Sequence, residues 1–190
     1  MPRKPSYDRD DLIRRARDVF WKRGWAGTSL KDLENVLNLK PGSFYAAFGS
    51  KDALYKLALD QYAADGGATL DKLEQQHGAL GALQAYPRSI LENETAAARA
   101  CMLVKTILEV SPQGNVLSEY ANAHLDGMQT RFAVLFAKAQ DAGEISRQHA
   151  PEHLARRYQS DFLGLRVSAE RQGYDIAATL DDIETNLARL

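Results

Sequence analysis

Lys40, Gly42 and Ser43 stand together in the run Asn38-Leu39-Lys40-Pro41-Gly42-Ser43-Phe44-Tyr45-Ala46-Ala47-Phe48. An ammonium, a hydroxyl and a backbone without a Cβ suit contact with an anionic polymer. Lys40 can donate to guanine O6 or N7 in a major groove or to a phosphate alone, and Gly42 permits close backbone approach. The run itself reads as a tight turn opening a short helix, with Pro41 suited to the first helical turn. Phe44 and Phe48, four residues apart, anchor such a helix from one side and leave its other side free.

The charge distribution agrees with a polyanion at this end. The 190-residue chain has a net charge of -1, yet residues 1–58 hold 12 Lys and Arg against 7 Asp and Glu, and the remainder holds 12 against 18. A basic N-terminal segment joined to an acidic body suggests that one end meets a polyanion. With 45% hydrophobic residues the chain can build a core, which argues against disorder. No apolar run reaches the ~18 residues of a membrane span. The start, Met1-Pro2-Arg3-Lys4-Pro5, is basic with no apolar stretch behind it, so a cytoplasmic protein is expected.

Other chemistry is sparse. Cys101, the single cysteine, rules out an internal disulfide and reads either as a small buried hydrophobe or as an oxidant sensor. His149 and His153 stand at i, i+4, but Pro151 between them marks a helix start and no further ligand is near, so no metal is expected. The sequence shows no nucleophile–base arrangement, phosphate loop or metal motif, so neither an enzyme nor a cofactor is expected.

The elements that position these residues are helical throughout. Asp8 or Asp10 can cap a first helix, in which Leu12, Ile13, Ala16, Val19 and Phe20 form an apolar stripe. Thr28 or Ser29 caps a second, with Leu30, Leu33, Val36 and Leu37 inward, and Asn38 ends it. Ser50 caps a fourth that begins at Lys51. Gly66, Gly67, Gly78 and Gly81 suggest a helix end and a connection over residues 65–81. Further helices are expected near 79–92, 95–110 (ending before Ser111-Pro112), 114–141, 151–171 and 175–189. Two helices joined by a four-residue turn form a helix-turn-helix, whose second helix can enter a major groove.

Three runs carry a resemblance: Thr28-Ser29-Leu30-Lys31-Asp32-Leu33, then Asn38 to Phe48, then Ser50-Lys51-Asp52-Ala53-Leu54. Over about residues 8–60 they resemble the N-terminal signature of TetR-family transcriptional regulators. The resemblance implies an all-α fold of about nine helices. An N-terminal three-helix DNA-binding domain with the helix-turn-helix would span 1–50, and a helical effector-binding and dimerisation domain 51–190. It implies double-stranded operator DNA, a second copy of the chain and an unknown small-molecule effector as partners. The implied function is a ligand-responsive repressor; the alternatives are an activator or a redox- or electrophile-sensing regulator using Cys101. By the same resemblance Thr28 caps the second helix and touches a phosphate, or only caps. Tyr45 reaches the DNA backbone through its hydroxyl, Lys51 binds phosphate, and Ser29, Lys40, Pro41, Gly42 and Ser43 complete the interface. The family usually has Ala in place of Glu34, often Gly in place of Asn38, and Ser or Thr in place of Lys40, so operator preference does not transfer. Cys101, Glu109, Tyr120, His124, Met128, Phe132 and Tyr158 are candidates for an effector pocket. Phe162, Leu165, Ile176, Leu180, Ile183 and Leu187 are candidates for the dimer interface.

Overall fold

The computed structural model describes residues 8–93, 95–110 and 116–190. The basic start, the Ser111-Pro112 stop and the first residues of the helix expected from 114 lie outside them. Among the described residues there are eight helices and no strand. They are α1 (Arg9–Arg23), α2 (Leu30–Leu37), α3 (Pro41–Phe48), α4 (Lys51–Leu91), α5 (Met102–Val110), α6 (Val116–Asp141), α7 (Pro151–Ser168) and α8 (Ile176–Leu187). None is long and apolar enough to cross a membrane.

Local chemistry sets the ends of the first four. The Asp8 carboxylate accepts from the Asp10 N–H at 3.0 Å, and Asp10 and Asp11 at the start with Lys22 and Arg23 at the end complement the dipole of α1. A capping box opens α2: Ser29 Oγ accepts from Asp32 N, and Asp32 Oδ2 accepts from Ser29 N at 2.9 Å. Hydrogen bonds from the Ser29 hydroxyl and then its N–H hold the Asp32 carboxyl below the usual carboxylate range. Asn38 ends α2 in the left-handed region at φ 53°, as its residue type allows. Pro41 is at the start of α3, and Ser50 Oγ caps α4 by accepting from Ala53 N at 3.0 Å.

The expected break over 65–81 is instead a single point. Helix α4 runs on through Gly66 and Gly67 and departs from helical geometry only at Gly78, φ 74°. Gly66 and Gly67 are there because other side chains lie against them. A Cβ on Gly67 would stand 2.3 Å from Arg131 Nη1, and one on Gly66 3.1 Å from the Tyr86 hydroxyl. The two helices expected on either side of that segment are thus one interrupted element, giving eight helices rather than about nine.

Pro87 sits inside this helix and cannot donate to the carbonyl of Leu83 four residues back. The hydroxyl of buried Tyr158 takes that place, donating to Leu83 O at 2.7 Å. A carbonyl that would otherwise be buried without a partner is satisfied from another helix.

Two apolar clusters hold the helices. The first joins Leu12, Ala16, Phe20, Leu33, Leu37, Phe44 and Phe48 of α1–α3 to Leu54, Tyr55, Ala58 and Leu59 of α4, and to Met102, Val110, Leu117 and Ala121 of α5 and α6. The second joins Leu70, Leu83, Tyr86 and Leu91 of α4 to Phe132 and Phe136 of α6, Phe162 and Leu165 of α7, and Leu180 and Leu187 of α8. Arg88 fastens α4 to α8 through Asp181 at 2.6 Å and Glu184 at 2.9 Å.

Tyr55, in the first cluster, is fully buried and bonds to Thr106 across the α4–α5 contact at 2.7 Å. Burial pushes its phenol up to about 12, and that of Tyr86 likewise. The unfolded chain releases these protons near pH 10, before the folded chain does. Folding stability should therefore be level below about pH 10 and fall as pH rises towards 12. Urea unfolding at pH 9 and pH 11 should show this loss, and Tyr55→Phe should make it smaller; an unchanged loss would exclude Tyr55 as a source.

Candidate nucleic-acid interface and ligand cavity

Helix α3 has two unlike sides. Phe44 is fully buried and Phe48 is 5% exposed, their ring centroids 5.7 Å apart, so both rings lie in the first cluster. Lys40, Pro41, Gly42 and Ser43 are exposed, and Tyr45 is 50% exposed with its ring edge-on to Phe44. No side chain caps the N-terminus of α3. Its first N–H groups and the positive end of its dipole are therefore open where Lys40 and Ser43 stand, a combination that favours a phosphate. No Cβ contact restricts Gly42 within 4 Å, so its backbone is open to an approaching surface.

The flanking residues divide. Ser29 is exposed at the start of α2, with its hydroxyl engaged in the capping box. Thr28 is fully buried and its hydroxyl donates to Gly24 O at 2.7 Å, so it neither caps α2 nor has surface for a phosphate. Ser29 does the capping. Lys51 is half-buried, its ammonium 4.2 Å from the centroid of the Trp25 ring, and burial lowers its pKa. Glu34 is half-buried on α2.

Helix α5 grips this head at the end of α1. The Glu109 carboxylate accepts from Trp25 N and Ala26 N, both at 2.8 Å, and Lys105 Nζ donates to Trp21 O at 2.6 Å. The first pair of bonds uses Gly24, φ 79°, where a Cβ would meet Glu109 Oε2 at 2.8 Å. Trp25 Nε1 donates to Asp52 at 2.8 Å, which ties the same loop to α4.

The other end of α5 borders a cavity of ≈ 160 Å³. Its wall includes Trp21 of α1, Tyr62 and Tyr86 of α4, Cys101, and Gln159 and Arg166 of α7. Along α4 the lining residues Tyr62, Asp65, Gly66 and Thr69 fall between Leu59 of the first cluster and Leu70 of the second, so the cavity lies at the seam of the two cores. Three expected pocket residues are here: Cys101, Met128 and Phe132. Four are elsewhere. Glu109 holds the α1–α2 loop, Tyr158 serves Leu83, and Tyr120 and His124 both bond Asp60 Oδ1, at 2.6 and 2.9 Å. Sequence periodicity missed Trp21, Tyr62, Tyr86, Gln159 and Arg166; an arginine and a glutamine on the otherwise apolar face of α7 were the available signal.

The expected dimer residues are also used within the chain. Phe162, Leu165, Leu180 and Leu187 are buried in the second cluster, and Ile176 and Ile183 pack against it. Phe162, Leu165, Leu180 and Leu187 help close the protomer's own core, while Ile176 and Ile183 keep part of their surface exposed on α8. The rings of His149 and His153 do meet, edge-on at 5.6 Å, despite the helix start between them. Among the described residues no group of three or more potential metal ligands forms.

A short reading helix anchored by two phenylalanines, joined to a helical body with an internal cavity, defines a helix-turn-helix DNA-binding transcriptional regulator. Residues 12–58 match the family model for bacterial regulatory proteins, tetR family. The chain is 27% identical to the HTH-type transcriptional repressor ComR of Escherichia coli (strain K12), over 95% of this chain and 88% of that protein. It is 25% identical to the HTH-type transcriptional repressor DhaR of Mycobacterium sp. (strain GP1), over 88% and 86%. Its fold superposes with a TM-score of 0.84 on a cysteine mutant of the TetR family transcriptional regulator CifR complexed with 26-bp double-strand operator DNA, at 27% identity and 97% coverage of both chains. Residues 12–58 thus carry the N-terminal domain of the tetR family, and the chain as a whole is similar in sequence and fold to TetR-family transcriptional regulators.

Proposed function

We propose that the protein is a homodimeric, cytoplasmic repressor, not an enzyme, that binds a near-palindromic operator and leaves it when a small molecule occupies the cavity. The observation that carries this reading is the two-sided α3: Phe44 and Phe48 buried, Lys40 to Ser43 and Tyr45 exposed at an uncapped helix start. Phosphate contacts from Tyr45 and Lys51 fix the register, and Lys40 and Ser43 face the bases. Residues 1–50 read DNA, and residues 51–190 bind the effector and the second copy. Two reading heads stand about one helical turn, roughly 34–36 Å, apart or slightly more. The repressor sign agrees with ComR and DhaR, both named as repressors. The switch acts through unequal affinity of the effector for operator-competent and operator-incompetent arrangements. Helix α5 is suited to carry it, since it borders the cavity at Leu103 and holds the head at Glu109.

The test begins with capture of sheared source DNA at two salt concentrations, which should return an inverted repeat. On that operator, Tyr45→Ala should weaken binding by about tenfold in an anisotropy titration, a typical loss of one charge-assisted contact of ~1.4 kcal/mol. Undiminished binding of Tyr45→Ala would remove this residue from the interface.

A further inference from the structure

The cavity wall contains a buried cation that forms no ion pair among the described residues. Arg166 is 5% exposed, and among the described residues no aspartate or glutamate forms an ion pair with it. Its Nε donates to Arg99 O and its Nη1 to the Tyr62 hydroxyl, both at 2.7 Å. The rings of Trp21, Tyr62 and Phe162 lie 5.6 to 5.8 Å from the guanidinium carbon. Those neighbours partly compensate the charge but do not neutralise it, and a buried charge left so is costly.

Two turns back on α7, Gln159 lines the same cavity and is 5% exposed. Its Nε2 donates to Leu125 O at 3.0 Å, which fixes the orientation of the amide. Its Oε1 is buried with no hydrogen-bond partner. Buried polar atoms in folded proteins are nearly always paired, so an orphan acceptor at a cavity calls for a donor from outside the chain. The cavity wall thus holds a cation without an ion-pair partner, an unpaired acceptor and aromatic rings, with Arg17 and Asp65 in the same lining paired to each other. A void of ≈ 160 Å³ is close to the ~150 Å³ that holds a benzene ring.

We propose that the cavity binds a one-ring aromatic carboxylate bearing a hydroxyl, of the hydroxybenzoate class, with its carboxylate on the Arg166 guanidinium and its hydroxyl donating to Gln159 Oε1. The ring stacks among Trp21, Tyr62, Tyr86, Phe132 and Phe162. The proposal rests on the reading of this cavity as the effector site and supplies its ligand class. A single ring matches the volume, and a cationic effector meets Arg166.

Calorimetric titration of the full-length protein with 3- and 4-hydroxybenzoate, the matching hydroxybenzamides and benzoate tests it. At least one hydroxybenzoate should bind about tenfold or more tightly than its amide and than benzoate, as loss of a charged or a buried hydrogen bond implies. Gln159→Leu should erase the advantage of hydroxybenzoate over benzoate. Arg166→Met, where circular dichroism shows it folded, should erase the advantage of acid over amide; the glutamine variant decides alone if it does not fold. Equal binding of acid and amide, a hydroxyl preference that survives in Gln159→Leu, or no heat from any probe at millimolar concentration overturns the ligand class. The same probes are then added to the operator complex. Tight, Gln159-dependent binding that leaves operator affinity unchanged would uphold the ligand class and overturn the switch.

Discussion

Phe44→Ala should abolish operator binding and lower the stability of the whole protein by about 3–5 kcal/mol, the usual cost of deleting a fully buried phenylalanine. The ring is fully buried, and it anchors the outward face of α3 from behind. Helix α3 has eight residues, too few to persist without packing. Without the ring, Lys40, Ser43 and Tyr45 have no fixed frame. The loss is not confined to the head, because Phe44 shares a cluster with α4, α5 and α6. Denaturant unfolding should shift as one transition, and Phe44→Leu should restore most of it. A loss below about 1 kcal/mol, with operator affinity kept, would mean that α3 is positioned by something other than its phenylalanines.

Glu109→Ala should uncouple the head from the body. Its carboxylate accepts two backbone N–H bonds at 2.8 Å, and bonds to a charged acceptor contribute about 1.5–3 kcal/mol each. The Ala26 bond is exposed, so water replaces part of it. A net loss of about 2–3 kcal/mol follows, felt at the α1–α2 loop. Operator affinity should fall on the order of thirtyfold or more, with the cavity still able to take its ligand. Hydrogen exchange at Trp25 and Ala26 should rise in the variant while that of α7 stays as it was. Unaltered exchange at both amides would show that the clamp is not needed to hold the loop.

Much of this architecture was legible in the sequence because short-range chemistry writes it there. The capping residues Ser29 and Ser50, Asn38 at a left-handed turn, Pro41 at a helix start and the Phe44–Phe48 pair each specify geometry within four residues. What stayed hidden depends on partners far along the chain. Gly66 and Gly67 resemble a helix end until Tyr86 and Arg131 are seen to lie against them. Thr28 resembles a cap until its hydroxyl is found bonded to Gly24. Tyr158 resembles a pocket residue until Pro87 is found to have freed a carbonyl beneath it. The stripes of α7 and α8 show that one face is buried but not whether it meets this chain or another. The cavity drew residues from α1, α4 and α7 that no window of sequence brings together.

The position of that cavity bears on the mechanics of the molecule. Empty space in a protein is volume that unfolding eliminates, so hydrostatic pressure acts on voids first. Here it is not enclosed within one core but lies where two cores meet, along the stretch of α4 between Leu59 and Leu70. Pressure therefore bears on the joint between the DNA-reading half and the α7–α8 half. An occupant there fills that space and stiffens the seam between the two cores.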